Sequence, residues 1–157
     1  MLPIKTILVA TDFSPMSEHA FRFAGALARD YGARLIVVHV IQPPVAVYAE
    51  TAVFLEEPDH SAAREALRNL HVPGVEVDYR LMEGEPVSTI VQVARETGAD
   101  LIVMGTHGRG GLLRVLLGSV AEGVLREAPC PVMTIKSTVP IPVPAPAEEP
   151  AHEAATS

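Results

Sequence analysis

The sequence predicts an α/β domain built on an open, doubly wound parallel sheet. Five short apolar segments with the composition of strands alternate along the chain with four segments of helical periodicity. Most of the strand segments are apolar at nearly every position, as in a parallel sheet that helices cover on both faces. Glycine or proline separates most segments from the next. This alternation favours parallel strands joined by right-handed helical crossovers.

The first part of the chain provides two strands and a long helix. Residues Thr6–Ala10 and Arg34–Ile41 are largely apolar, which predicts strands. Between them, Ser14 is a typical N-cap and Pro15 a typical first helical residue. Apolar residues then recur at helical spacing until Gly32, where we expect the helix to end.

The next part contains a long connection and an edge strand. Residues 42–57 are too apolar for a simple solvated linker. We interpret them as a flexible flap with a helical turn near the functional site, or as an extension of the following helix. That helix spans residues 58–70. Residues 75–81 alternate apolar and polar side chains, which predicts a strand at the edge of the sheet.

The second half completes the sheet. A third helix occupies residues 84–98, and residues 101–104 form the fourth strand. A fourth helix begins at Ser119 and stops at Pro129, and residues 131–136 form a fifth strand. The side chains that the fourth helix is expected to bury are Ala121, Val124, Leu125 and Ala128.

Length and charge limit the possible classes of function. The 157 residues fit one domain, which we assign to residues 1–137, and residues 138–157 form a disordered tail rich in proline, alanine and glutamate. The formal charge of −7 argues against a nucleic acid or a membrane as main partner. Without a signal pattern or a long apolar run, we expect a cytoplasmic protein. Cys130 is expected to be a buried small residue rather than a redox thiol.

A glycine-rich stretch follows the fourth strand. Four glycines between positions 105 and 111 precede Gly118-Ser119, where the fourth helix begins. Such loops and helix N-termini present backbone N–H groups to phosphates. The stretch is not a P-loop, because it lacks the lysine, and Leu113 stands where the dinucleotide fingerprint needs its third glycine.

The spacing Gly105-x-x-Gly108, nine residues, then Gly118-Ser119 resembles the ATP-binding subgroup of the universal stress protein family. Four further stretches are similar to that family: Val9-Ala-Thr-Asp12-Phe-Ser14, Val38-His-Val40, Gly98-Ala-Asp100-Leu-Ile-Val-Met-Gly105 and Pro129-Cys-Pro131-Val132. The resemblance implies a Rossmann-like, adenine nucleotide α-hydrolase-like fold with strand order 3-2-1-4-5. It also implies a homodimer that binds ATP, usually with Mg²⁺ or Mn²⁺.

The fold and the glycines predict the same site. Ligands of doubly wound sheets bind outside the carboxyl ends of the strands, where the winding reverses. Here those ends are Ala10-Thr-Asp12 and Met104-Gly105. The resemblance implies that the backbone of Val40 contacts adenine. The predicted nucleotide-binding residues are Ala10, Thr11, Asp12, Val40, Met104, Gly105, Gly108, Arg109, Gly110, Gly118, Ser119 and Val120.

Several of these residues also have a purely structural interpretation. Asp12 could accept a hydrogen bond from ribose or adenine, hold a metal through water, or cap the first helix. Gly105 could leave room for a ribose or simply belong to a turn. Ser119 could form a capping box with Glu122, although the same helix end favours phosphate, and we expect it to serve both purposes. Arg109 and Arg114 could contact phosphate or lie in solvent.

No residue is predicted to bind a metal directly. The six histidines show no paired spacing typical of zinc, and Mg²⁺ would be held through the ATP phosphates. His39, inside an apolar strand, is interpreted as a buried polar group with a satisfied hydrogen bond. His107 is a candidate phosphate contact.

We therefore predict a nucleotide-dependent stress-response or signalling protein that binds ATP, or ADP or AMP, without fast catalysis. No general base or attacking nucleophile accompanies the phosphate cradle, and phosphoryl transfer needs such groups. The alternatives are a slow ATPase or another ATP-using enzyme on this fold, and a nucleotide-free dimeric scaffold. We expect the homodimer to pair through residues 132–136, an edge strand that a second copy would cover.

Overall fold

The computed structural model describes residues 3–43, 59–106 and 117–143. Within these residues, strands and helices alternate as the sequence predicts. The strands are β1 (Thr6–Ala10), β2 (Arg34–Ile41), β3 (Val77–Glu83), β4 (Leu101–Gly105) and β5 (Val132–Ile135). The helices are α1 (Pro15–Tyr31), α2 (Ser61–Asn69), α3 (Pro86–Thr97) and α4 (Ser119–Glu127).

The described strands form one parallel sheet in the order β3-β2-β1-β4-β5. Ala10 at the end of β1 pairs with Val38 of β2, and Val9 pairs with Val103 of β4. The predicted fold class and strand order are therefore confirmed, as is the edge position of the third strand. That strand begins at Val77, two residues later than predicted.

Helices cover both faces of the sheet. Ile7 and Val9 of β1 are fully buried in one apolar cluster with residues of α1 and α2. Leu8, between them, is fully buried in the opposite cluster with residues of α3 and α4. Because successive side chains of a strand point to opposite faces, a strand covered on both sides needs apolar residues at every position.

The ends of α1 and α3 are closed by local hydrogen bonds. The Ser14 hydroxyl accepts from the backbone N–H of Ser17 at 3.2 Å, which confirms the predicted N-cap of the first helix. Glu85 caps α3 with its carboxylate. Both helices end at a glycine in the left-handed conformation, Gly32 at φ +63° and Gly98 at φ +62°.

The prediction that the fourth helix buries Leu125 is wrong, because this side chain is 52% exposed. Ala121 and Val124 are buried as predicted, and Ala128 is half-buried. A Cβ on Gly123 would lie 2.7 Å from Cγ2 of Val87, so α4 approaches α3 closely along its Gly123 side. That approach buries one narrow stripe of a short helix and leaves Leu125 in solvent.

The chain continues to pack beyond β5. Val139 lies against the cluster that contains α1, and its carbonyl accepts a hydrogen bond from Nε2 of His19 at 2.6 Å. The contacts of Val139 with the domain therefore reach past residue 137, where the sequence places the end of the domain. The boundary at residue 137 stays a prediction. Residues 144–157 of the predicted tail and 44–57 of the predicted flap lie outside the described residues.

Cys130 is half-buried just before β5. Burial, together with the nearby charge of Asp100, raises the pKa of its thiol above the ordinary value. A raised pKa leaves little thiolate near neutral pH, which supports a structural rather than a redox role. Among the described helices, none has the length and apolar character needed to cross a membrane.

Candidate functional site

The described residues that the sequence assigns to the nucleotide lie along the carboxyl edge of the sheet. β1 lies between β2 and β4, so its end at Ala10 lies beside Val38 on one side and beside the last residues of β4, Met104 and Gly105, on the other. Val40 lies two residues beyond Val38, near the end of β2. The order of the strands reverses at this point, where ligands of doubly wound sheets bind. Asp12 follows directly after β1, in the loop to α1.

Hydroxyl groups hold the loop between β1 and α1. Oγ1 of Thr11 lies 3.1 Å from Oγ of Ser17, and both residues are buried. The Ser14 hydroxyl donates to Oγ of Ser17 at 3.4 Å, and the Phe13 N–H donates to Oγ1 of Thr11 at 3.1 Å. Sequence reasoning missed this cluster, although the i, i+3 spacing of Ser14 and Ser17 is a visible signal.

Asp12 is fixed by the same loop. Its Oδ1 accepts from the backbone N–H of Ser14 at 3.0 Å, and its own N–H donates to Oγ of Ser17 at 3.3 Å. The carboxylate thus supports the start of α1, as the structural interpretation of Asp12 expects. The hydrogen bond from Ser14 fixes the half-buried carboxylate within the loop that follows the carboxyl end of β1.

Phe13 has an unusual backbone conformation. Its φ of +61° lies in the left-handed region, which bulky residues rarely enter. Such a conformation costs about 1–3 kcal/mol and persists only where surrounding contacts enforce it. Nothing in the sequence near Phe13 signals it, because glycine or asparagine would be the expected residue there.

His39 of β2 supports this loop. Its Nδ1 donates to the carbonyl oxygen of Thr11 at 2.8 Å, and its ring lies 4.5 Å from the Phe13 ring between centroids. The interpretation of His39 as a satisfied polar group is confirmed, although the side chain is half-buried rather than fully buried.

Gly105 ends β4 beneath the first turn of α1. A Cβ at Gly105 would lie 2.7 Å from Cγ of Met16 and 3.2 Å from its carbonyl oxygen. The absence of a side chain therefore has a packing reason, the close approach of α1 to β4. The sequence also suggests that Gly105 leaves room for a ribose. The contact with Met16 does not test that role, which stays a prediction.

The N-terminus of α4 is tied to the end of β4. The N–H of Gly118 donates to the carbonyl oxygen of Thr106 at 2.6 Å, so Ser119 and Val120 in the first turn lie near the strand end. The N-cap is Gly118, at φ −70° and ψ 157°, and no side chain of the described residues caps the helix. Helix N-termini of this kind present free N–H groups and positive potential to anions.

The predicted capping box of Ser119 is wrong. Ser119 is the first helical residue rather than the N-cap, and the Glu122 N–H donates to the carbonyl oxygen of Gly118 at 2.9 Å. The Glu122 carboxylate instead contacts Arg126 at 3.0 Å. A hydroxyl caps a helix only from the extended residue that precedes it, and here that residue is Gly118.

The central part of the glycine-rich stretch lies outside the described residues. Its predicted contacts are His107, Gly108, Arg109, Gly110 and Arg114. Within the described parts, no group of three or more His, Cys, Asp or Glu residues could hold a metal ion. Between β1 and β4 the described edge offers the Asp12 carboxylate and the amides at the start of α4. This donor set suits a phosphate-bearing ligand better than a bare cation.

Known proteins resemble this chain over nearly its whole length. A sequence model described as the universal stress protein family matches residues 3–136. A universal stress protein of Methanocaldococcus jannaschii is 37% identical over 139 residues, which cover 84% of this chain and 82% of that protein.

Solved structures are similar as well. A universal stress protein in complex with cAMP has a TM-score of 0.65 at 27% identity, covering 84% of this chain and 96% of that one. A universal stress protein from Archaeoglobus fulgidus in complex with dAMP has a TM-score of 0.61 at 29% identity, covering 87% of this chain and 100% of that one.

Proposed function

Since this chain belongs to the universal stress protein family, we propose that it binds ATP, or ADP or AMP, at the carboxyl edge between β1 and β4. One observation carries the proposal. The N-terminus of α4, without a side-chain cap among the described residues, is fastened to the end of β4 by the Gly118–Thr106 hydrogen bond. Because β4 pairs with β1, whose end leads into the loop that holds Asp12, the amides of α4 and Asp12 belong to the same edge of the sheet, which supports the proposal.

In this proposal, α4, Asp12 and Val40 each bind a different part of the nucleotide. The first-turn amides of α4 hold the phosphates, because the helix end carries partial positive charge. Asp12 accepts a hydrogen bond from a ribose hydroxyl, and the half-buried backbone of Val40 receives the adenine edge. A bound Mg²⁺ or Mn²⁺ would neutralise phosphate charge, with Asp12 as its protein ligand through water. The cAMP and dAMP bound to two similar structures support an adenine nucleotide as the ligand.

We propose that nucleotide occupancy, rather than a fast reaction, is the activity of the protein in the stress response. Phosphoryl transfer needs a base or water-orienting group and a cationic clamp. The Asp12 carboxylate already accepts a hydrogen bond from Ser14, which makes it a poor base. Turnover of ATP faster than about 1 s⁻¹ would contradict this part of the proposal.

The first experiment is mass spectrometry of protein purified without added nucleotide, followed by calorimetry with Mg-ATP. We expect Gly118→Ala to bind Mg-ATP at least tenfold more weakly, about 1.4 kcal/mol. The added methyl group would lie where phosphate meets the helix end. The φ of −70° at Gly118 is open to alanine, so the substitution does not strain the backbone.

A matched pair of variants separates phosphate binding from helix stability. Ser119 and Ser61 are each the first residue of a nine-residue helix whose N-cap residue makes no side-chain capping hydrogen bond. A carboxylate at either position suits the helix dipole. Ser119→Glu should abolish Mg-ATP binding by repelling phosphate, whereas Ser61→Glu should leave it unchanged. Equal binding by the two variants would remove α4 from the site.

We also propose a homodimer that pairs through residues 132–136. β5 is an edge strand of the described sheet, and Met133 on it is 36% exposed. Leu125 on the adjoining α4 is also exposed, so a partner would cover apolar surface as well as the strand edge. Sedimentation velocity at micromolar concentration should give a dimer, and Met133→Glu should weaken it. A monomeric wild-type protein would contradict the proposal.

A further inference from the structure

The loop that follows β1 is bonded to β2 through the backbone of Val38 and the side chain of His39. The Thr11 N–H donates to the carbonyl oxygen of Val38 at 2.9 Å, and the Thr11 carbonyl accepts from Nδ1 of His39 at 2.8 Å. Because a carbonyl oxygen only accepts, Nδ1 must carry the proton. Both backbone groups of Thr11 are thus bound by β2.

The same imidazole supports the other side of Asp12. The Phe13 ring packs on the His39 ring at 4.5 Å between centroids, with an angle of 44° between their planes. Phe13 is also the residue with φ +61°, a conformation that its own backbone does not favour. His39 therefore contacts the residue before Asp12 through a hydrogen bond and the residue after it through its ring.

We propose that His39 is a positioning residue for nucleotide binding, which acts by fixing the loop that carries Asp12. With His39 in place, Thr11 and Phe13 are held, and the Asp12 carboxylate keeps its hydrogen bond to the Ser14 N–H. Without it, the Thr11 carbonyl loses its donor and Phe13 is free to return to a negative φ, which would turn Asp12. The inference rests on the proposed function and adds a residue outside the predicted contacts.

The test uses calorimetric titration with Mg-ATP on the full chain. His39→Leu removes the donor and the ring, and should weaken binding at least tenfold. His39→Asn keeps a side-chain N–H close to where Nδ1 lies, and should bind within threefold of wild type. His39→Gln moves its N–H one bond further out, so it should resemble His39→Leu. Rescue by Asn but not by Gln identifies the hydrogen bond to Thr11.

A second histidine provides the control for general destabilisation. Nε2 of His19 also donates to a backbone carbonyl, that of Val139, at 2.6 Å. His19→Leu removes a hydrogen bond of the same kind from a place that the proposed site does not use. Its thermal stability should fall, but its affinity for Mg-ATP should stay within twofold of wild type.

The outcomes separate the two proposals. If wild type binds no adenine nucleotide, the proposed function itself fails. If wild type binds and His39→Leu binds equally well, only the role of His39 is refuted. Equal losses of affinity in His39→Leu and His19→Leu would also refute it, since they would reflect lower stability. If His39→Leu does not fold, the contrast between His39→Gln and His39→Asn decides, and equal affinity of those two overturns the inference.

Discussion

The two ends of the parallel sheet are built in different ways. At the amino end, side chains close the strands with hydrogen bonds. Oδ2 of Asp100 accepts from the N–H groups of Lys5 and Thr6 at 2.9 and 3.0 Å. Arg34 donates to Oγ1 of Thr6 at 3.0 Å and to the carbonyl of Thr97 at 3.1 Å. These contacts join β1 and β2 to the end of α3.

The carboxyl end also has side-chain hydrogen bonds, in the loop after β1, but it adds backbone strain and a helix start with available N–H donors. Phe13 has a positive φ, and α4 begins without a side-chain cap among the described residues. Local strain and unsatisfied polar groups concentrate at functional sites, because the rest of the fold supports them. The difference supports the proposal that the ligand binds at the carboxyl end of the sheet.

The largest expected effect is at the amino end. Asp100→Ala removes the acceptor of two backbone N–H groups, one of which belongs to buried Thr6. An unsatisfied buried donor and a lost charged hydrogen bond should lower the free energy of unfolding by about 2–3 kcal/mol. Denaturant unfolding measures this loss, and calorimetry should find the affinity for Mg-ATP unchanged within twofold.

Asp100→Asn is the control for that variant, because its amide oxygen can still accept a hydrogen bond. We expect a smaller loss of stability than with alanine. A tenfold fall in the Mg-ATP affinity of Asp100→Ala would show that the two ends are not independent.

The second effect is at the carboxyl end. Gly105→Ala brings a Cβ within 3.2 Å of the Met16 carbonyl oxygen, so α1 must move away from β4. Overpacking of this kind should lower the free energy of unfolding by about 1–2 kcal/mol. Affinity for Mg-ATP should fall as well, because α1 carries the loop that holds Asp12.

Gly32→Ala is the matched glycine variant at the amino end. Apart from its chain neighbours, no atom of the described residues lies within 4 Å of the added Cβ, but φ is +63°, so the substitution destabilises through the backbone. Its affinity for Mg-ATP should match wild type. If Gly105→Ala unfolds like wild type, the Met16 side chain accommodates the methyl group and the packing explanation of Gly105 is wrong.

The smallest effect concerns pH. Backbone hydrogen bonds from Ser88 and Val87 lower the pKa of the Glu85 carboxyl that caps α3. A lowered pKa in the folded state adds stability that is present above the unfolded value of about 4.3 and is lost as pH falls through the folded value. The melting temperatures of wild type and Glu85→Ala should therefore differ at pH 7 and converge below about pH 4.

Glu85→Gln provides the reference without a titrating group. Its difference from Glu85→Ala should stay constant with pH, since an amide oxygen accepts hydrogen bonds over the whole range. A wild-type advantage that persists undiminished at pH 3 would exclude the capping carboxylate as its source.

Local sequence signals predicted the parts of this fold that depend on neighbours along the chain. Helix α1 begins at Ser14-Pro15 and ends at Gly32 as expected, because caps and left-handed glycines act within one helical turn. The alternation of apolar and polar residues over 75–81 correctly predicted an edge strand, because this pattern also involves only residues close together in the chain. The capping box at Ser119 failed, because Gly118 takes the extended N-cap position and bonds to Thr106, a residue of another element.

The sequence by itself determined the alternation of strands and helices along the chain and the apolar strands that need cover on both faces. It also determined the position of the glycines next to a helix start. Only the tertiary structure decided that Met16 lies on Gly105, that Phe13 takes a positive φ against His39, and that Leu125 remains in solvent. Periodicity and capping arise from residues a few positions apart and can be read from the chain. Close approach and strain arise between residues that only folding brings together. The sequence around each of these residues therefore carries no sign of the distant contact.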